Sequence, residues 1–251
     1  MCIIYEPKGK ALEYSPLAAN LYKGCSHGCT YCYVPGIPPY KFAKNAREQF
    51  SADPQPRKDI IKLFERSARK IAGDPRRILL SFTSDAYQPI EKQHKITRQA
   101  LSIAAGYHLK TQVLTKAGAW AVERDLPILQ KARCIWAATL TLDDPDQSKK
   151  WEPGAALPAD RIQALKTAHK NGLKTWVSFE PVIDPAAVYR LIHETHDFVD
   201  LYKVGKLNHH PFADTIDWAE FLVTVEDLLD RYSKPRYIKK DLAAYRSKTA
   251  A

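Results

Sequence analysis

Cys25, Cys29 and Cys32 fall within the run Cys25-Ser26-His27-Gly28-Cys29-Thr30-Tyr31-Cys32-Tyr33, in the spacing C-x3-C-x2-C. Thiolates bind soft metals. Three on one short loop can hold three corners of an iron–sulfur cluster and leave the fourth iron to a ligand that is not protein. An iron left open in this way is a place for chemistry. Two other readings compete. With His27 or a distant histidine as fourth ligand the cysteines would form half of a zinc site, although the second knuckle that structural zinc sites commonly use is missing from the chain. A disulfide framework suits neither five cysteines in 251 residues nor an N-terminus without a signal-peptide pattern. The iron–sulfur reading stands first.

The loop needs a scaffold, and the chain around it alternates strands with helices. Residues 18–22 predict a first strand that leads directly into the cysteines. Pro35, Pro38 and Pro39 disfavour regular structure over the residues that follow. From Asp59 onward Ile60, Ile61, Phe64, Ala68 and Ile71 recur at helical spacing, and Gly73-Asp74-Pro75 ends the run. Strands are then expected at 78–84, 109–115, 134–142, 174–179 and 198–204. Helices are expected at 97–105, at a start marked by Asp125-Leu126-Pro127 with Asp125 as cap, and at 158–171, 185–195 and 216–232. Six strand–helix pairs argue for an α/β protein with a parallel sheet and helices outside, either left open or curled into a barrel. Residues 1–17, with Pro7, Gly9 and Pro16, read as an N-terminal arm. Residues 233–251 read as a basic C-terminal tail, leaving 18–232 as a single domain.

Composition sets outer limits. The length suits one large domain, and a 45% hydrophobic content can fill its core. Thirty-eight Lys and Arg against 28 Asp and Glu give a formal charge of +10, which favours a polyanionic partner. The basic segments 66–77 and 234–240 read as solvated faces. With no apolar run long enough to span a membrane, the expected location is the cytoplasm.

In parallel α/β folds chemistry collects at the C-terminal ends of strands. The second strand offers Thr83-Ser84-Asp85, the third Thr115-Lys116, the fourth Thr139 and Thr141, and the fifth Ser178 and Glu180. Alternation puts Thr139 and Thr141 on one side and Cys134, Trp136 and Ala138 on the other. With the threonines facing inward, Cys134 is a small core hydrophobe. His193 and His196, three residues apart, read as the edge of a helix. The adjacent His209 and His210 project differently and receive no role, and neither does the lone Cys2.

With Tyr31 immediately before the last cysteine, the C-x3-C-x2-C loop resembles the signature of radical S-adenosylmethionine (SAM) enzymes. The resemblance implies a partial (β/α)6 barrel with a 4Fe-4S cluster on Cys25, Cys29 and Cys32. It implies SAM chelated to the unique iron, with Tyr31 near the adenine. An external electron donor then drives cleavage of SAM to methionine and a 5'-deoxyadenosyl radical that abstracts hydrogen from a substrate. The Gly-Gly-Glu segment of many such enzymes is replaced by Ser81-Phe82-Thr83-Ser84-Asp85-Ala86-Tyr87-Gln88-Pro89-Ile90-Glu91, with Leu114-Thr115-Lys116 further on. These segments resemble the spore photoproduct lyase-like branch, also called DNA repair photolyase-like. That resemblance implies that Ser84 and Asp85 meet the SAM amino group, Lys116 its carboxylate and Thr139 the ribose. Glu180 joins the cofactor candidates by its strand-end position alone.

Tyr33 matches a tyrosine of the lyase pattern that helps relay a hydrogen near the reacting centre. One departure stands out: the lyases carry a hydrogen-donating cysteine just before the Thr-Ser-Asp segment, and Phe82 stands in that place here. Phenylalanine has no such hydrogen to give. The expected substrate is a nucleic-acid base, with base modification, or an isomerisation that returns hydrogen to SAM, favoured over lesion repair. The alternative from another class is a non-catalytic zinc-containing nucleic-acid binding domain.

Overall fold

The computed structural model describes residues 3–208 and 210–246, so Cys2 and His209 lie outside it. One sheet carries the fold. Its strands are β1 (Ile4–Tyr5), β2 (Leu17–Ala19), β3 (Arg77–Leu80), β4 (Lys110–Thr115), β5 (Ile135–Thr139), β6 (Thr175–Val182), β7 (Leu201–Lys206) and β8 (Arg236–Ile238), bonded in that order. β1 runs antiparallel to β2, and every later neighbour is parallel. One long helix fills each parallel crossover: α1 (Ile60–Lys70), α2 (Ile96–Gly106), α3 (Ala119–Lys131), α4 (Pro158–Lys170), α5 (Pro185–Thr195) and α6 (Trp218–Arg231). Six strand–helix units from β2 to α6 form the expected α/β repeat. The ladder is linear from β1 to β8, the arrangement of a partial barrel.

Helices form where the apolar spacing puts one face on the sheet. In α1 Ile60, Phe64 and Ala68 are buried while the intervening charges face out. In α6 Asp217 caps the start by accepting from Ala219 N and Glu220 N at 2.9 and 3.0 Å, and Phe221, Leu222, Val225, Leu228 and Leu229 are buried. Each such Leu or Phe contributes about 1.5–3 kcal/mol of transfer free energy. Cys134 is buried in the core, as strand parity predicts.

Four expectations change. The helix marked by Asp125 begins at Ala119, six residues earlier, with Pro127 inside it. Its start is held by Asp160 of α4, which accepts from Ala119 N at 2.9 Å. Asp125 is instead fully buried, accepting from Arg98, Arg124 and the Tyr87 hydroxyl. The strand expected at 78–84 stops at Leu80, because Asn20 Oδ1 accepts from Phe82 N and Thr83 N at 2.7 and 2.8 Å and draws the chain away from the ladder. The strand expected at 18–22 divides, since Tyr22–Lys23 leaves the sheet to pair with Gln55–Pro56. Finally, the arm and the tail supply the edge strands β1 and β8, which at two and three residues are too short to carry a periodic signal.

Candidate active site

A cavity of about 670 Å³ opens at the C-terminal ends of the central strands, and Cys25, Cys29 and Cys32 all line it. This falls in the range of small-molecule and cofactor pockets. Most of the candidates read from the sequence are here: Tyr31, Tyr33, Ser84, Asp85, Lys116, Thr139 and Glu180 line the same cavity.

The cysteine loop is pinned from two directions. Cys25 N donates to Phe50 O at 3.0 Å, below a short helix at Ala46–Ala52. From the other side the segment 151–156, after a second short helix at Pro145–Trp151, lies across the loop as a strap. Thr30 N donates to Trp151 O at 2.9 Å, Gly154 N donates to His27 O at 2.9 Å, and His27 Nδ1 lies 2.9 Å from Gly154 O. Ala156 N donates to Lys116 O at 3.0 Å and ties the strap to the end of β4. The approach at Gly154 is so close that a Cβ there would fall 2.2 Å from Ser26 O. Glycine is required.

Glu152, the second residue of the strap, is 1% exposed. It accepts from the Tyr31 hydroxyl, pairs with Arg161 Nη2 at 2.5 Å and stands 3.9 Å from Lys116 Nζ. Arg161, also buried, donates to Ala156 O and Thr139 O at 2.7 and 3.0 Å. One buried pair thus fixes Tyr31, Lys116, the strap and the end of β5. Burial opposes the Glu152 charge, but Arg161 and Lys116 outweigh it and hold the carboxyl below its usual range. Burial likewise opposes the Lys116 charge, while Cys29 and Glu152 outweigh it and raise its pKa. These partners were not read from the sequence. An isolated Glu152-Pro153-Gly154 between two helices looks like an ordinary turn, and its role depends on contacts more than a hundred residues away.

Asp85 proves to be an internal anchor. Its Oδ1 accepts from Tyr87 N at 2.8 Å and Thr115 Oγ1 at 2.6 Å, and its Oδ2 accepts from Lys116 N at 2.7 Å with His27 Nε2 at 3.2 Å. Burial would raise its pKa, but His27 and these donors outweigh it and hold the carboxyl well below the usual carboxylate range. Ser84 differs: its hydroxyl is buried with no hydrogen-bond partner among the described residues, and Ser84 lines the cavity. Glu180 stands in a different group from the other cofactor candidates, with Tyr14 of the arm and Lys239 of the tail. Tyr33 is 50% exposed, with its hydroxyl 3.5 Å from Phe82 O. Phe82 packs edge-on against Tyr14, centroids 5.6 Å apart.

The chemistry of this wall fits an iron–sulfur cluster and SAM. Burial raises all three thiol pKa values, Cys29 to about 11, so thiolates here call for a bound cation. Lys116 and the free Ser84 hydroxyl supply a cation and a polar group beside the thiols. Among the described residues no three His, Cys, Asp or Glu side chains gather around a single ion position.

The histidines without a role stay at the periphery. His193 Nδ1 lies 2.6 Å from the Tyr232 hydroxyl and His196 stacks on the Tyr232 ring. Among the described residues no helix is long and apolar enough to cross a membrane.

Residues 19–199 match the model of the Radical SAM superfamily, and the chain belongs to that family. It is a radical SAM enzyme, of a superfamily that uses a 4Fe-4S cluster with SAM; the zinc-domain alternative falls with that assignment. An uncharacterized protein of Methanocaldococcus jannaschii is 32% identical over 192 residues, covering 75% of this chain and 69% of the relative. A second uncharacterized protein, from Mycobacterium tuberculosis, is 24% identical over 182 residues, covering 70% of this chain and 52% of that relative. In fold the chain is similar to a spore photoproduct lyase variant, with a TM-score of 0.69 and 13% identity over 94% of this chain and 78% of the other. Another variant of that lyase, solved with bound AdoMet and dinucleoside spore photoproduct, gives a TM-score of 0.66 at 14% identity, again over 94% and 78%. SuiB of Streptococcus suis, bound to S-adenosylmethionine, gives 0.57 at 15% identity over 75% and 45%.

Proposed function

We propose that this radical SAM enzyme abstracts hydrogen from a nucleic-acid base and carries out base modification or isomerisation. The observation that carries this reading is the cavity. It brings Tyr33 and Phe82 beside the cysteine wall, in a fold shared over 94% of the chain with an enzyme solved on a dinucleoside. The formal charge of +10 favours a polyanionic substrate.

The bound cofactors supply one chemistry, reductive cleavage of SAM to a 5'-deoxyadenosyl radical on an electron from an external donor. The chain supplies the rest. Cys25, Cys29 and Cys32 hold the cluster. Ser84 and Lys116 would meet the amino and carboxylate ends of SAM, Thr139 its ribose and Tyr31 its adenine, all four lining the cavity with the cysteines. Asp85 acts as a positioning residue, because its oxygens already serve Thr115, Tyr87, Lys116 and His27. Tyr33, half exposed and lining the cavity, holds a phenolic hydroxyl beside Phe82, 3.5 Å from its carbonyl oxygen. Phe82 removes the thiol route for quenching a product radical, which favours modification or isomerisation over lesion repair. Unpaired thiols and iron–sulfur chemistry suit a reducing compartment, the cytoplasm.

The test is anaerobic reconstitution with iron and sulfide, then dithionite reduction and measurement of deoxyadenosine, with Cys29→Ala as control. Deoxyadenosine from the native chain alone supports the radical machinery; a colourless protein with no SAM turnover overturns it. The substrate is tested with base-deuterated DNA and RNA oligonucleotides. Deuterium in deoxyadenosine or in recovered SAM supports a base, and transfer from neither polymer removes the nucleic-acid reading.

A further inference from the structure

The cavity holds, in the group around Glu180, polar capacity that the cysteine wall does not use. Glu180 Oε2 accepts from the Tyr14 hydroxyl and from Lys239 Nζ, the latter at 2.7 Å, while Oε1 has no hydrogen-bond partner among the described residues. Lys239 is 4% exposed, and its ammonium, 4.0 Å from the Tyr14 ring centroid, has three hydrogens of which Glu180 takes one. Ser178 precedes Glu180 by two residues on β6, and both line the cavity. Ser178 is 1% exposed, and its hydroxyl stands beside Tyr14 without a bond of hydrogen-bonding geometry. Gly205 of β7 makes this packing possible, since a Cβ there would fall 2.9 Å from Glu180 Cδ and 3.0 Å from Lys239 Cδ.

An open carboxylate oxygen next to an ammonium selects its ligand by charge. An anionic group would meet Glu180, and a cationic group would meet Lys239 with Lys203 behind it. A neutral planar group with an N–H beside a carbonyl satisfies both, giving its hydrogen to Oε1 and accepting from Nζ. Leaving either protein group unpaired in so buried a place is costly, so a ligand that lacks one half of the pattern is rejected.

We propose that Glu180, Lys239 and Ser178 form a recognition edge for a lactam or imide group, an N–H adjacent to a carbonyl, as uracil, thymine and guanine present it. The inference rests on the nucleic-acid-base reading and narrows it to bases with that edge. Tyr14, bonded to Glu180 and packed on Phe82, links the edge to the segment that precedes Ser84.

The experiment is calorimetric titration of the cluster-loaded protein with the dinucleotide TpT and with TpT methylated at N3 of both bases. In the wild type, methylation weakens binding at least tenfold. In Glu180→Ala and in the closer mimic Glu180→Gln the ratio between the two ligands falls toward one, and in Lys239→Met TpT itself weakens at least tenfold. A purely structural role for Glu180 would lower both affinities together and keep the ratio. Equal wild-type affinity for the two ligands, no binding of either, or a ratio preserved in both Glu180 variants overturns the proposal. Deoxyadenosine formation by the wild type is followed separately. TpT discrimination without SAM cleavage fails the radical reading alone, and cleavage without discrimination fails this inference alone.

Discussion

On the cysteine side of the cavity the carboxylates are already engaged by the protein. Asp85 takes three hydrogen bonds with His27 alongside, and Glu152 is closed by Arg161, Tyr31 and Lys116. On the far side Glu180 keeps one oxygen open, and Ser178 has an unbonded hydroxyl. The first wall is a preorganised frame in which the carboxylates are taken up and the Ser84 and Thr83 hydroxyls at the cavity have no hydrogen-bond partner among the described residues. The second keeps a charge pair available to a ligand. Under the proposed function the preorganised wall would seat the cofactors and the open pair would meet the substrate.

The largest effect should come from removing the two carboxylates in turn. Glu152→Ala leaves the Arg161 guanidinium buried without its counter-charge, a loss of about 3–5 kcal/mol. Glu180→Ala leaves the Lys239 ammonium without its carboxylate, but the Glu180 side chain is 19% exposed against 1% for Glu152, so water can replace it and the loss should be about 1–3 kcal/mol. Urea denaturation of the two variants measures the difference, and equal losses would break the comparison.

A smaller effect separates the walls by acid. The folded pKa of Asp85 is depressed, so its stabilisation is complete above its unfolded value of about 3.9 and is lost as pH falls through the folded value. The melting-temperature gap between wild type and Asp85→Asn should be constant from pH 7 down to about 4 and should narrow below it. A gap that narrows above pH 5 would mean that the carboxylate is not held as described.

The smallest effect lies behind the Glu180 group, at Lys203, and in base. Burial, with Lys239 second, lowers the Lys203 pKa to about 8. Between that pH and about 10.4 the unfolded chain holds more protons than the native one, so stability should rise with pH over this window. Wild type should gain on Lys203→Met in melting temperature from pH 8 to 10. A parallel pair of curves would remove Lys203 from the account.

The fold was legible because its long elements repeat one pattern. The helix at Pro185–Thr195 matches the expected bounds, and the other long helices except α3 fall within two residues of theirs at each end. What stayed hidden was short or distant. Asp125 before Pro127 looks like a helix start in any window that excludes Arg98 and Tyr87, its distant partners in the core. Tyr14 and Lys239 sit in segments whose composition reads as an arm and a tail, yet both reach the cavity because β1 and β8 lie at the edges of a curled sheet. Of the residues around the cysteines, those at or just past strand ends could be named from their position in the repeat and from the resemblance of their segments to the lyase-like branch. Glu152 and Arg161 could not, because neither occupies a strand.

The strap has a consequence for how the protein is made. His27 and Gly154 are separated by 127 positions in the chain. At a translation rate of about 5–20 residues per second, the thiols leave the ribosome roughly 6–25 s before the segment that will cover them has been synthesised. For that interval the nascent loop lacks the contacts to Trp151 and Gly154 that later cover one side of it. Once residues 151–156 arrive, the remaining approach to the cysteines is through the cavity itself.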